Sequence, residues 1–521
     1  MKTNLLYVNP GQEKCHPYSM KDDMIKDLNL DLVFREMAKN DEFLLGVAKS
    51  TVMIPLKNKK DIVYRQGIMK DCLKNRDEVE SLYEQISRTM KQIESFKERV
   101  ERQRKGGGTL SRTAEIYTSL EALVILLNGL TELKNQIAKQ TGRFQSEGMC
   151  AFLEEVSTKY RMEQIDEIKQ TILEMSYLTK GGSIRITAGI TDGLKCGDAV
   201  VNDIIPIEKK PNLWLRVIRF FYLRFFCKDV ILLKDSALIY QARELETKGL
   251  IHVLETYRGF IQEMMEFFEQ IRNQLGFYLA GVNLMASMSN LGLPYCFPYV
   301  SPKQGNYRAK GLYDLGLALH THELPVSNDL DWQDIRLTVI SGANQGGKST
   351  YLRSLGLAQV LMQCGMPLPA DIYSNDLYDN ILTHFSRRED QAMNRGRLEE
   401  ELKRMDRIVK SIRGRSLVLL NESFASTTEQ DASVMAEDIV RAFYEKGITT
   451  YMVTHLYQFV RSLYEQKPEA GIFLSAGRKE DGTRTFQMIE EEPKETSYGI
   501  DLYDELIGAK ETGTNDPVCQ S

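Results

Sequence analysis

The sequence predicts an α/β C-terminal domain built on a wound sheet, preceded by a long, mainly α-helical region that carries a small β-containing insertion. Three observations predict it. Apolar strand-like runs at 336–341, 416–421 and 449–455 alternate with helical stretches, the pattern of a sheet wound by crossover helices. Residues 76–104 are polar, periodic and free of glycine and proline, as a long exposed helix requires. At 181 the text changes to β-branched residues set between glycines, before helical texture resumes at about 236.

Residues 22–75 read as short helices, with apolar residues recurring at three- and four-residue steps in "DLNLDLVFREMAKNDEFLLGVAKS" (27–50). The long helix of 76–104 is broken by "GGG" at 106–108. A second helical stretch covers about 112–178, interrupted near "TGRFQSEG" (141–148). "GGSIRITAGITDGLKCGDAVV" (181–201) reads as short strands and turns. "LWLRVIRFFYLRFFCKDVILL" (213–233) is apolar, but three arginines interrupt it, which argues against a transmembrane span. Helix resumes over about 236–290, so the β-containing unit sits between outgoing and returning helices.

Composition places the chain among ordinary soluble globular proteins: 521 residues, 42% apolar and 27% charged. No apolar run that would mark a signal peptide follows Met1. The eight cysteines form no CxxC pair, which argues against a zinc site and a disulfide framework and points to a reducing cytoplasm. The net charge of −5 gives no overall support to nucleic-acid binding. Locally, 97–112 holds six Lys/Arg against two Glu, and 205–228 holds six against one. Such patches attract phosphates whatever the overall sign.

"GANQGGKS" (342–349) fits G-x-x-x-x-G-K-[ST] in full, after a strand and before a helix. Its glycines let backbone amides turn inward around phosphates, Lys348 reaches the β- and γ-phosphates, and the Ser349 hydroxyl ligates magnesium. Gly342, Ala343, Asn344, Gln345, Gly346, Gly347, Lys348, Ser349 and Thr350 are thus the expected ATP phosphate-binding residues, with ATP and Mg2+ as cofactors. "LVLLNE" (417–422) supplies a second strand whose Glu422 can polarise the attacking water. Asn421 stands where an aspartate would hold magnesium through its shell. It keeps an oxygen acceptor but no charge, so the expected hydrolysis is slow. His455, at the end of "TTYMVTH", can sense a γ-phosphate by hydrogen bonding. Lys348, Glu422 and His455 are the expected catalytic set.

These residues resemble the MutS family of DNA mismatch-repair ATPases. "SGANQGGKSTYLRSLGLAQVLMQCGMPLPA" (341–370) is close to that family's phosphate loop and next helix, and "ILTHFSRRED" (381–390) resembles the following segment. "MNRGRLEEELKRM" (393–405) sits at the family's signature loop, and "NESFASTTEQDA" (421–432) resembles its Walker B strand and dimer-facing loop. "TH" (454–455) and "SYGIDLYDELIG" (497–508) match its later elements, while "YRQGIMKDCL" (64–73) and "LPVSND" (324–329) are similar less specifically. The resemblance implies an ABC-type P-loop ATPase, helical levers and an inserted DNA clamp. It implies that two ATPase domains pair, so that Gly396 and Arg397 act in trans in a homodimer.

The departures are "RGRLEEE" in place of a serine-rich signature and Asn421 in place of the Walker B aspartate. About 20 residues precede the core, which implies a chain without the family's N-terminal mismatch-reading domain. The expected division is an N-terminal segment (1–21), the first half of the core and lever (22–180), a clamp-like insertion (181–235), returning lever helices (236–300), the ATPase domain (301–508) and a polar tail (509–521). The expected function is that of a MutS-like DNA-binding ATPase, an ATP-dependent clamp acting in mismatch repair or on branched or recombining DNA. Lys209, Lys210, Arg216 and Arg219 are its candidate DNA contacts. The alternative is an ATP-driven clamp for a protein partner, or a membrane-surface regulator without DNA binding. Stable membrane insertion is not expected on either reading.

Overall fold

The computed structural model describes residues 4–9, 16–105, 112–140, 142–159, 161–179, 183–191, 195–205, 236–303, 305–342, 345–386, 396–466, 471–479 and 483–494. The chain opens with helices α1 (Lys21–Asp27), α2 (Leu30–Ala38), α3 (Glu42–Val52) and α4 (Lys59–Lys74). In α2 the residues Leu30, Val33, Phe34 and Met37 recur at helical spacing and are all buried. Asp41 starts α3: its carboxylate accepts hydrogen bonds from the N–H groups of Phe43 and Leu44 at 2.8 and 3.1 Å.

Helices α5 (Arg76–Lys105), α6 (Arg112–Lys139), α7 (Glu147–Lys159) and α8 (Met162–Thr179) follow. Strands β1 (Ser183–Thr191) and β2 (Lys195–Ile205) then pair antiparallel, with Ser183 opposite Ile205 and Thr191 opposite Lys195. Helix α9 (Ser236–Asn290) runs for 55 residues, about 80 Å at 1.5 Å per residue. The clamp-like insertion is thus described only as this hairpin. The 213–233 segment and Lys209, Lys210, Arg216 and Arg219 lie outside the described residues.

The chain divides into two compact units, and the division differs from the one expected from sequence. The first unit holds Asn75–Leu275, and the second holds Asn4–Lys74 together with the chain from Gly276 onward. Residues 22–74, read from sequence within the first half of the core and lever (22–180), cluster with the chain from Gly276 onward. The physical reason is what their apolar and polar groups meet. Leu28 packs on Gly356, the Asp27 carboxylate accepts a 2.7 Å hydrogen bond from Thr383, and Asn283 donates to the Met37 carbonyl. The boundary expected at 300 falls at Gly276, where α9 becomes buried on nearly every side through Phe277, Tyr278, Ala280, Val282 and Leu284.

In the second unit β3 (Tyr299–Val300), β4 (Tyr307–Leu312), α10 (Leu315–Thr321), β5 (Asn328–Trp332), β6 (Leu337–Ser341), α11 (Lys348–Gln363), β7 (Ile372–Asn375) and β8 (Asn380–Phe385) come first. Then follow α12 (Arg397–Ser411), β9 (Ser416–Asn421), α13 (Glu429–Glu445), β10 (Thr449–Val453), α14 (Tyr457–Glu465), β11 (Gly471–Arg478) and β12 (Arg484–Glu490). The main sheet has the order β12-β11-β6-β10-β9-β8. Its neighbours pair parallel except for the antiparallel β11–β12 edge. Five of its six strands thus run parallel, and β8 and β9 are buried at every position, as strands covered on both faces are. One face packs Val339, Val418, Leu420 and Met452 against Met405, Ile408, Ala436, Val440 and Phe459 from α12, α13 and α14. A smaller sheet of order β3-β7-β4-β5 takes three strands from before β6 and one, β7, from between β6 and β8.

Candidate nucleotide site

The parallel register brings three strand ends level. Val453 of β10 is opposite Ile340 of β6 on one side and Asn421 of β9 on the other. The loops leaving these ends carry the expected chemistry, as wound sheets place it. After Ser341 the chain turns at Gly342, with φ +104°, where an added Cβ would come within 2.9 Å of the Ser475 hydroxyl. Gln345 and Gly347 also take left-handed backbone, with φ +61° and +88°. Gln345 has a side chain, so its conformation is strained, as backbone often is at binding loops. Ala343 and Asn344 lie outside the described residues.

Helix α11 begins at Lys348, so its first-turn N–H groups and positive end face the loop. The Lys348 ammonium is buried and donates to the Gly342 carbonyl at 2.7 Å. Burial pulls its pKa below the ordinary lysine range, and the nearby Glu422 charge acts the other way. The Ser349 hydroxyl donates to Asn421 Oδ1 at 2.8 Å. Glu422 is held by its own N–H, which donates to the Val453 carbonyl at 2.9 Å, and its φ of +52° is left-handed. Lys348, Ser349, Asn421 and Glu422 are thus brought together from two loops 72 and more residues apart.

Gln345, Gly346, Gly347, Lys348, Ser349, Thr350 and Glu422 line a pocket of about 500 Å³. The rest of its lining is mostly apolar and includes Leu312, Leu317, Leu324, Val326 and Phe486. Phe486 lies beside Gly347, and Arg484, two residues earlier on β12, donates to Gln345 Oε1 at 2.9 Å. Asp314 also lines the pocket. Its carboxylate caps α10 through Leu317 N–H and pairs with Arg353 at 3.1 Å. Burial raises the Asp314 pKa, opposed first by Arg353. Sequence reasoning assigned no role to Asp314, Arg353 or Phe486. Only Asp314 carried a signal, as a capping residue ahead of "LGLALHT".

His455 follows β10 and is exposed, and it does not line the pocket. Gly396 and Arg397 start α12, are exposed, and do not line it either. Among the described residues no group of three or more His, Cys, Asp or Glu could hold a metal alone. The Ser349 hydroxyl and Asn421 carbonyl are instead hard oxygen donors at one point, a set that suits magnesium when phosphate oxygens and waters complete the shell.

Comparison with known proteins bears on the whole chain. Residues 57–291 match the family model described as the MutS2 N-terminal domain, and 338–510 match MutS domain V. The chain is similar to proteins named DNA mismatch repair protein MutS. One from Halalkalibacterium halodurans is 23% identical over 96% of this chain and 61% of that protein. One from Natronomonas pharaonis is 26% identical over 49% and 30%, and one from Leuconostoc citreum is 30% identical over 34% and 21%. The chain thus spans less than two thirds of the length of these relatives. With one family model on the helical region, a second on the main sheet, and the glycine-rich loop and Glu422 lining one pocket beside that sheet, the chain belongs to the MutS family.

Proposed function

We propose that this protein is an ATP-hydrolysing, DNA-binding clamp that works as a homodimer in the cytoplasm, in mismatch repair or on branched DNA. The observation that carries the reading is the convergence on one pocket of a buried lysine, Glu422 and Ser349, whose hydroxyl is hydrogen-bonded to Asn421. A desolvated ammonium gains most from an anion of high charge, so Lys348 binds the β- and γ-phosphates. The apolar wall takes the base. Ser349 and Asn421 would hold a magnesium ion here, and it would supply neutralisation of phosphate charge. Glu422 orients and polarises the attacking water. Asn421 offers an acceptor without charge, so metal affinity and turnover are lower than with aspartate. His455 contacts the γ-phosphate only after its exposed loop closes.

In the dimer, Gly396 and Arg397 from one subunit approach the other's nucleotide, and Arg397 stabilises charge on the γ-phosphate. The resulting movement reaches DNA through the long helices and the inserted unit, with Lys209, Lys210, Arg216 and Arg219 on phosphates. A membrane role is not favoured. The one helix of sufficient length and hydropathy among the described residues, within α6, is half buried in the protein. The test is ATP-dependent retention on DNA. Wild type should be retained with ATP and released as salt rises, whereas equal retention by Lys348→Ala would remove the link between the pocket and DNA.

A further inference from the structure

Glu422 stands in a turn whose backbone is costly to hold. Glu422 and Phe424 both take left-handed φ, +52° and +67°, and both carry side chains. Such backbone persists only where its surroundings fix it, and it gathers at functional sites. The Glu422 N–H donates to the Val453 carbonyl at 2.9 Å, and Phe424 is fully buried in the core of the main sheet. Ser423, between them, is buried too, and its hydroxyl lies 2.8 Å from Nδ1 of His384, the last residue but one of β8. The His384 ring is itself buried and stacks on Phe424.

The proton on this ring can be placed. Nε2 lies 3.3 Å from the main-chain carbonyl of Glu401 in α12, and a carbonyl can only accept, so Nε2 carries the proton. In the neutral ring Nδ1 is then an acceptor, and the Ser423 hydroxyl donates to it. The other acceptor near that hydroxyl, the His384 carbonyl, is farther away at 3.5 Å. The ring therefore holds Ser423 with one nitrogen and helix α12 with the other. Neither His384 nor Ser423 lines the pocket, so any effect they have on its chemistry passes through Glu422, which does.

We propose that His384 is a positioning residue for Glu422: its Nδ1 fixes Ser423, and with it the left-handed turn that presents the Glu422 carboxylate to the pocket. The proposal rests on the reading of Glu422 as the group that prepares the attacking water. Without its acceptor, Ser423 no longer holds the peptide that joins it to Glu422. Relaxation of that peptide toward ordinary backbone turns the carboxylate away from the water it must polarise. A misplacement of about 1 Å at such a group costs on the order of a hundredfold in rate. Lys348 and the start of α11 lie on another loop, so ATP binding is spared.

The test compares two substitutions in the full chain, each of which keeps one of the ring's two hydrogen bonds. Asparagine puts its oxygen near the place of Nδ1, where it accepts from Ser423, but it is too short to reach Glu401. Glutamine puts its amide near the place of Nε2, where it donates to the Glu401 carbonyl, and leaves Ser423 without its acceptor. His384→Gln should lower kcat roughly ten- to a hundredfold with ATP affinity within about twofold of wild type, the pattern of a loss confined to the transition state. His384→Asn should rescue most of that loss, to within about threefold of wild type. Added to Glu422→Ala, His384→Gln should lower kcat no further, because the ring acts only through that carboxylate. If His384→Gln turns over ATP at the wild-type rate while Glu422→Ala is slow, the proposal is overturned and the role of Glu422 stands. If Glu422→Ala itself hydrolyses at the wild-type rate, the role of Glu422 fails and the proposal with it. Equal losses in the two His384 variants, or a further fall in the double variant, also overturn it. Should His384→Gln unfold before assay, Ser423→Ala removes the same hydrogen bond, leaves the contact to Glu401, and is judged by the same outcomes.

Discussion

Lys348 shows how a residue can be poor for the fold and good for the site. Its ammonium is buried and donates to the Gly342 carbonyl, and burial already lowers its pKa. Lys348→Ala is expected to abolish ATP binding in a calorimetric titration, and wild-type affinity there would sink the phosphate-loop role. Asn421 offers the complementary change. Its Oδ1 sits 2.8 Å from the Ser349 hydroxyl, where one added negative charge would meet the metal. Asn421→Asp is expected to lower the magnesium concentration needed for half-maximal turnover, by roughly tenfold for about 1.4 kcal/mol of added attraction. An unchanged magnesium requirement would mean that residue 421 does not reach the metal shell. At this scale the sequence was legible where a motif fixes both type and spacing, as in 342–349. The exposed side chain of His455, off the pocket wall, was not legible, because strand order gives the strand end and not where the next loop points.

Among the elements, α11 links the pocket to its surroundings. Arg353, one turn past the phosphate loop, pairs with Asp314, whose side chain is 0% exposed, and donates to the Asp27 carbonyl. Removing one partner of a buried pair leaves the other charge uncompensated, at about 3 kcal/mol. Arg353→Leu is therefore expected to lower the free energy of urea unfolding by that amount at neutral pH, and Arg353→Leu with Asp314→Asn should recover part of it. The pH dependence has a definite sign. Burial holds the folded Asp314 pKa above its unfolded value, and loss of Arg353 raises it further. The folded state then binds a proton that the unfolded chain does not, so the deficit should shrink as pH falls through the folded pKa. A deficit that grows on acidification would contradict the assignment. Helix and strand periodicities made α5, β6, β9 and β10 legible. That residues 22–74 cluster with the C-terminal unit was not legible, because periodicity shows that a helix has an apolar face and not which element covers it.

For the whole molecule, the matched families and the mainly parallel sheet agree on architecture, and the proposed DNA contacts follow from local positive charge. Contacts to phosphate position a protein without reading bases. Affinity should therefore fall by about 0.9 log unit per log unit of salt for each phosphate neutralised, and neutralising Lys209 and Lys210 should reduce that slope by up to about two. A slope unchanged in the double variant would move the DNA site elsewhere. The claim on which everything else depends is that this pocket turns over ATP. Its most direct measurement is single-turnover hydrolysis by Glu422→Ala with ATP already bound. The expected result is ATP affinity close to wild type, with hydrolysis at least ~10²-fold slower, the scale for losing a positioned base. Hydrolysis at the wild-type rate in that variant would contradict the claim that Glu422 prepares the water in this pocket.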